Sequence, residues 1–179
     1  MKQTKIAFMG TSSVGKTTLL DLTRQKFPNA IFVEEAARDF FKNNFVGDRF
    51  GVEAQGKIQD LALSREKIAH KSNKPFIFCD RSVLDAVVYT KENGDLFGAE
   101  NLFQKVKAWI PTYSHFILLD PADIPYESDE IRTESEIKRN KFHEVFLSFF
   151  NEKRIPFILL SGSVEVRLLK LERLLKIAN

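Results

Sequence analysis

Residues 10–18 read Gly10-Thr11-Ser12-Ser13-Val14-Gly15-Lys16-Thr17-Thr18, a full instance of the pattern G-x-x-x-x-G-K-[ST]. Four apolar residues, Ile6 to Met9, precede it, and an amphipathic stretch carrying Leu19, Leu20 and Leu22 follows. An apolar strand, a glycine-bounded loop and a helix opening at Lys16 give this spacing a physical purpose. The glycines let the backbone wrap so that N–H groups point inward at phosphate oxygens. The helix N-terminus adds the positive end of its dipole, and the Lys16 ammonium reaches the β- and γ-phosphates. Thr17 offers a hydroxyl to Mg²⁺. The stretch therefore reads as a nucleoside-triphosphate site, with Gly10, Ser12, Ser13, Val14, Gly15, Lys16, Thr17 and Thr18 as the nucleotide contacts.

Working outward, four further apolar runs repeat the first: Ala30 to Val33, Phe76 to Cys79, Phe116 to Leu119 and Phe157 to Leu160. Their apolar character is continuous rather than alternating, which predicts strands buried on both faces of a parallel sheet. The segments between them carry helical spacing. Phe142, Phe146, Phe149 and Phe150 fall at i, i+4, i+7 and i+8, and Val164, Leu168, Leu171 and Leu175 at i, i+4, i+7 and i+11. Strand and helix in alternation predict a three-layer α/β domain. The 179 residues suffice for one such domain over 1–179, with no linker or repeat. The stretch from Asp120 to Thr133, with two prolines and five acidic residues, is the most loop-like.

Composition excludes several classes. Hydrophobic residues at 44% and charged residues at 28% are globular, not disordered. A single cysteine, Cys79, cannot form an internal disulfide, which argues against a stapled secreted scaffold. Met1 to Lys5 lead into only four apolar residues, too few for a signal-peptide core, and no run approaches a membrane span. The expectation is a cytoplasmic chain. The net charge of +3 is well mixed, without the basic stripe or tail of a nucleic-acid protein. His70, His115 and His143 have no ligand spacing, so no zinc site is expected. Cys79 reads as a core thiol and Trp109 as packing.

The chemistry asks for further groups. A second acid to help hold Mg²⁺ belongs at the tip of a neighbouring strand. Asp80, in Asp80-Arg81-Ser82, is favoured for it, and Asp120 is the alternative; Asp80 also reads as the N-cap of the next helix. After the second strand, Glu34-Glu35-Ala36-Ala37-Arg38 places a carboxylate where α/β sheets bind ligands. Glu35, with Glu34 as alternative, is the group to position an acceptor hydroxyl and take its proton. Arg81, Asp85 and Tyr89 recur every four residues and share one face if helical. Gln55 and Gln59 can hydrogen-bond a ring or sugar. Arg132 and Arg139 stand seven apart, which puts them on one face if the segment is helical, as arginines that would close over a transferring phosphoryl group.

Together, the phosphate loop, E-A-A-R after strand two, D-R-S-V-L-D after strand three and L-L-D-P-A-D-I-P-Y-E-S-D-E-I-R with a later arginine resemble the NadR-like, AAA_28-type family of P-loop ATPase-kinase domains. Its best-understood members are ribosylnicotinamide kinases, and it is more distantly similar to deoxynucleoside and thymidylate kinases. The resemblance runs from Gly10 to about Arg167. It implies a five-stranded parallel sheet ordered 2-3-1-4-5 and a lid over about 121–141. It makes Glu35 the acceptor carboxylate and Arg81 a phosphate or acceptor contact; Arg38, and Asp85 to orient the acceptor or fix Arg81, are the further substrate-side candidates. Thr17 and Asp80 become the metal ligands, Arg132 and Arg139 the lid arginines, and Ser161-Gly162-Ser163 the adenine-side turn through Ser161 and Ser163.

The expectation is transfer of the ATP γ-phosphate, with Mg²⁺, to a hydroxyl of a small nucleoside-like acceptor such as nicotinamide riboside, with no nucleic-acid or membrane partner. ATP is preferred because no guanine-reading N-K-x-D motif occurs. The alternative is an ATP-hydrolysing switch that acts on a protein partner.

Overall fold

The computed structural model of the chain describes residues 3–44, 47–125 and 136–177. Its strands are β1 (Thr4–Met9), β2 (Ile31–Val33), β3 (Phe76–Asp80), β4 (His115–Leu119) and β5 (Ile158–Leu160). Its helices are α1 (Lys16–Lys26), α2 (Ala36–Asn43), α3 (Val52–His70), α4 (Asp85–Glu92), α5 (Leu96–Val106), α6 (Glu136–Glu152) and α7 (Val164–Ile177), with a 3-10 turn over Lys107–Thr112. Each of the five apolar runs is a strand. They form one parallel sheet in the order β2-β3-β1-β4-β5, with helices on both sides. Ile31 pairs with Ile77 and Val33 with Cys79, while Ile117 pairs with Ile158 and Leu119 with Leu160.

Burial explains the sequence pattern. Ile6, Ala7, Phe8 and Met9 are fully buried, as are Ile77, Phe78, Leu118 and Leu119. A strand covered on both faces has no solvent side on which to place polar residues, so alternation disappears in β1, β3 and β4; the edge strands β2 and β5 depart from the expectation and are only partly buried, with Leu159 exposed. Each of the larger fully buried side chains contributes about 1.5–3 kcal/mol by leaving water. Among the described residues no helix is long and apolar enough to cross a membrane.

The chain divides into two compact units, residues 1–7 with 29–115 and residues 8–28 with 116–179. In the first, α4 packs on α5 and on α3, and Phe32 stacks on Phe78 with ring centroids 5.1 Å apart. This unit also holds a buried polar knot around Glu66 of α3. The carboxylate accepts from Lys5 Nζ at 2.8 Å, Trp109 Nε1 at 2.9 Å and Tyr113 OH at 2.6 Å. The Lys5 ammonium lies 3.8 Å from the Tyr113 ring centroid and 4.5 Å from that of Trp109. Lys5 and Glu66 are each 1% exposed, and a charge pair that deep is tolerable only when hydrogen-bonded on all sides. Trp109 is thus a packing and hydrogen-bonding residue.

In the second unit, Phe142, Phe146, Phe149 and Phe150 form the buried face of α6. Phe150 meets Phe116 and Phe157 edge-on, each at 5.5 Å, the geometry that aromatic quadrupoles prefer. Leu171 and Leu175 bury the inner face of α7, which packs on α1.

Candidate functional site

The phosphate loop leaves the C-terminal end of β1 and runs directly into α1. Gly10 (φ +141°), Ser13 (φ +51°) and Gly15 (φ +75°) all occupy left-handed backbone, the conformation in which successive N–H groups line an anion-binding concavity. A Cβ at Gly10 would stand 3.3 Å from the Leu119 carbonyl, closer than ordinary contact, so space as well as φ favours glycine there; at Gly15 a Cβ would meet Val164 at an ordinary 3.4 Å, and φ alone calls for glycine. Lys16 is the first residue of α1 and is buried. Thr17 and Thr18 are exposed in the first turn.

Two arginines brace this loop through its backbone. Arg139 of α6 donates from Nη1 to Ser13 O at 3.3 Å and to Ile124 O at 2.9 Å, and Nη2 lies 3.3 Å from Glu136 Oε1. Arg167 of α7 donates from Nη1 to Val14 O at 2.6 Å, from Nη2 to Asp120 O at 2.6 Å and from Nε to Gly162 O at 2.8 Å. Arg167 escaped the sequence reading. Its signal is positional: it lies three residues after Val164 and four before Leu171, a cation on the apolar face of α7. Arg132 lies outside the described residues, as does the stretch 126–135 of the expected lid.

The turn after β5 begins with Ser161 and bends at Gly162 (φ +103°). Ser161 O accepts from Lys170 Nζ at 3.0 Å, Gly162 N donates to Asp123 Oδ2 at 2.8 Å, and Ser163 Oγ pairs with Glu165 Oε2 at 2.7 Å. Asp120, at the end of β4, turns its Oδ1 onto Ala122 N at 3.0 Å. That carboxylate closes a local turn.

A second group of charged residues is built on the ends of β2 and β3. Glu34 is exposed and Glu35 is buried at 9% exposure. The Glu35 carboxylate accepts from Arg81 Nε at 2.6 Å and has Arg38 Nε at 3.7 Å from its other oxygen. Arg81 Nη1 in turn donates to Asp85 Oδ1 at 3.1 Å and to Tyr89 OH at 3.0 Å. Asp85 Oδ2 accepts from Ser82 N at 2.8 Å and from Ser82 Oγ at 3.0 Å. The structure brings Glu35, Arg38, Arg81, Asp85 and Tyr89 together.

The local route differs from the helical spacing. α4 begins at Asp85, so Arg81 precedes the helix and sits in left-handed backbone at φ +74°. Asp80 is therefore no helix N-cap; it is the last residue of β3, α4 starts without a side-chain cap, and the Asp85 carboxylate holds the Ser82 turn that leads into it. A non-glycine residue at such φ costs about 1–3 kcal/mol and persists where its surroundings hold it. Here the fork of bonds from Arg81 does so.

Electrostatics reinforce the group. Burial disfavours the Arg81 charge, but Tyr89, Glu35, Asp85 and Asp80 outweigh it and raise its pKa above the ordinary arginine value. Burial pushes the Asp85 carboxyl up, and the bonds from Arg81 and Ser82 offset part of that rise. Gln59 Nε2 donates to Val83 O at 2.9 Å and Leu102 O at 3.2 Å, and Gln55 Nε2 to Arg49 O at 2.6 Å. Both amides thus brace loops and helix ends.

Against known proteins, residues 5–167 match the family AAA_28, described as AAA domain. Among solved structures the chain is similar to the NadR protein in complex with NAD and AMP-PNP, at 22% identity and TM-score 0.72, covering 90% of this chain and 45% of that one. A deoxyadenosine kinase from M. mycoides, solved with dCMP and a flexible dCDP, is 17% identical with TM-score 0.67, over 96% of this chain and 98% of that one. Thymidylate kinase from Candida albicans is 14% identical with TM-score 0.70, over 99% and 92%. The chain spans about half the length, 45%, of the NadR chains it matches. No curated protein matches it in sequence. At these identities the likenesses establish the fold, an α/β P-loop NTPase fold with the strand order described above. With the family match running over nearly its whole length, the chain belongs to the AAA_28 family of AAA domains.

Proposed function

We propose that the chain is a phosphotransferase that moves the γ-phosphoryl group of ATP, with Mg²⁺, to a hydroxyl of a small nucleoside-like acceptor. The observation that carries this reading is the Glu35–Arg81–Asp85–Tyr89 group, with Arg81 Nε 2.6 Å from Glu35 Oε1. Nucleotide hydrolysis needs a phosphate loop and a water. A buried carboxylate held in place at a strand end is what an acceptor hydroxyl needs for orientation and for loss of its proton. The NadR structures in complex with NAD and AMP-PNP or with NR, and the deoxyadenosine kinase structure with dCMP as a product, hold compounds of the nucleoside and nucleotide class to which the proposed acceptor belongs.

In this reading Lys16 and the loop amides hold the phosphates, and Ser161 and Ser163 flank the adenine. Arg38, Arg81 and Asp85 line the acceptor side, while Arg132 is assigned to the transferring group. Mg²⁺ needs few protein oxygens because it keeps water and phosphate oxygens for the rest. Among the described residues no three His, Cys, Asp or Glu gather for a metal; the exposed Thr17 hydroxyl beside the phosphate loop is one oxygen of that sparse kind, and the resemblance assigns Asp80 as the second. Bound there, the ion would neutralise charge on the phosphate oxygens.

The test is transfer of labelled γ-phosphate from ATP to nicotinamide riboside, deoxynucleosides and nucleoside monophosphates, with Glu35→Gln alongside. A labelled acceptor that disappears in the variant supports the kinase. Free phosphate alone, released equally by both proteins, favours a hydrolytic switch instead.

A further inference from the structure

Two consecutive carbonyls of the phosphate loop are each gripped by a buried guanidinium: Ser13 O by Arg139 at 3.3 Å and Val14 O by Arg167 at 2.6 Å. The arginines come from different helices and are 3% and 0% exposed. Arg167 places its three hydrogen bonds given above on backbone oxygens from three separate loops. Burying a cation is costly, and a merely space-filling role there would be served by an apolar side chain. A shell of carbonyls indicates that the guanidinium is there for the backbone.

The peptide unit is planar, and in its trans form the C=O and N–H bonds point in opposite directions. Fixing Ser13 O therefore fixes the direction of Val14 N–H, and fixing Val14 O fixes that of Gly15 N–H. Both amides lie in the loop flanked by the left-handed residues Ser13 and Gly15, a turn of the kind whose N–H groups line an anion-binding concavity. A cation bonded to a carbonyl also polarises its peptide and strengthens the N–H as a donor.

We propose that Arg139 and Arg167 are positioning residues for the phosphate chain of the nucleotide. They act through the Ser13 and Val14 peptide planes, aiming the Val14 and Gly15 N–H groups at phosphate oxygens, and touch no ligand themselves. Arg139 thereby acts from within the loop's support instead of over the transferring group. The assignment rests on the nucleotide reading of the loop and is independent of the acceptor.

The experiment is calorimetric titration of inorganic tripolyphosphate and of ATP into the full chain and into Arg167→Met, Arg167→Lys and Arg139→Met. It is paired with ¹H–¹⁵N spectra of the Val14 and Gly15 amides. Each Met variant is expected to weaken both ligands about tenfold or more. The downfield shift of the two amide protons on adding tripolyphosphate should shrink. Arg167→Lys keeps the charge but cannot fork to three carbonyls, so it should fall between wild type and Arg167→Met. Near-ultraviolet circular dichroism establishes that each variant is folded, and if Arg167→Met is not, Arg139→Met on the other helix decides.

Folded variants with a lower melting temperature but wild-type affinity and amide shifts would overturn the proposal. So would absence of tripolyphosphate binding by the unmodified chain. Failure of phosphoryl transfer to every acceptor, with the tripolyphosphate results as expected, would sink the kinase reading and leave this one standing.

Discussion

Arg81 Nε lies 2.6 Å from Glu35 Oε1 although the two residues are 46 positions apart, and each belongs to a different strand-to-helix turn. The pair makes Glu35 the residue whose chemistry is most easily separated from nucleotide binding. Glu35→Gln keeps the shape and removes the proton acceptor, so acceptor phosphorylation should fall by about 10²–10⁴ while ATP affinity stays at the wild-type value. Steady-state transfer and direct ATP titration measure the two separately. Arg81→Lys should also cut transfer, because one ammonium cannot hold Glu35, Asp85 and Tyr89 together.

The Glu66 knot predicts a stability effect with no loss of chemistry in the folded fraction. Glu66→Leu leaves the Lys5 ammonium buried beside two aromatic rings without its carboxylate, and should cost about 3–5 kcal/mol. The double variant Lys5→Met/Glu66→Leu removes both charges and should recover most of that loss. Urea midpoints at neutral pH, with unchanged slopes, are the measurement. Equal destabilisation in the single and double variants would contradict the picture.

His143 gives a pH prediction. Burial lowers its pKa from the ordinary histidine value, with Asp120 and Glu144 opposing, and among the described residues its Nδ1 finds no hydrogen-bond partner. A group with a depressed pKa in the fold binds its proton more readily when unfolded. Its stability contribution is therefore full above the unfolded pKa of about 6.5 and is lost as pH falls below it. His115 shifts the same way, by burial. Melting temperatures at pH 7.5 and 5.5 should drop on acidification, and His143→Phe should shrink that drop more than His115→Phe does.

Cys79 should be silent to thiol reagents. Burial, then Glu66 and Asp80, push its thiol pKa well up against the opposing pull of Lys5, so little thiolate forms and none of it is accessible. Reaction with a chromogenic disulfide should be negligible in the native chain and complete in denaturant. Rapid labelling of the folded protein would show that β3 opens.

How far the sequence carried the reading depends on how local each feature is. The inner strands were legible because burial on both faces writes itself into contiguous residues, as at Ile6 to Met9; the edge strands β2 and β5 are apolar runs too, yet only partly buried, with Leu159 44% exposed. The inner face of α6 was legible because Phe142, Phe146, Phe149 and Phe150 obey a fixed period. The phosphate loop was legible because its backbone demands glycine at set positions. The site's finer construction was not. Arg81, Asp85 and Tyr89 do converge, yet Arg81 enters from a left-handed turn instead of a helix, because its bond to Glu35 in another strand-to-helix turn outweighs local propensity. Gln55 and Gln59 carry no local mark of burial, since the carbonyls they meet belong to Arg49, Val83 and Leu102.

The grip of Arg167 on the chain has a consequence for how the molecule tolerates change. It reads the oxygens of Val14 and Asp120, never their side chains, and every amino acid supplies that oxygen. These partners can therefore drift in identity without loosening the bracket, whereas Arg167 itself has no substitute with the same three-way reach. Among related chains the arrangement would leave its trace in a single column, at the arginine, and in no paired substitution anywhere else.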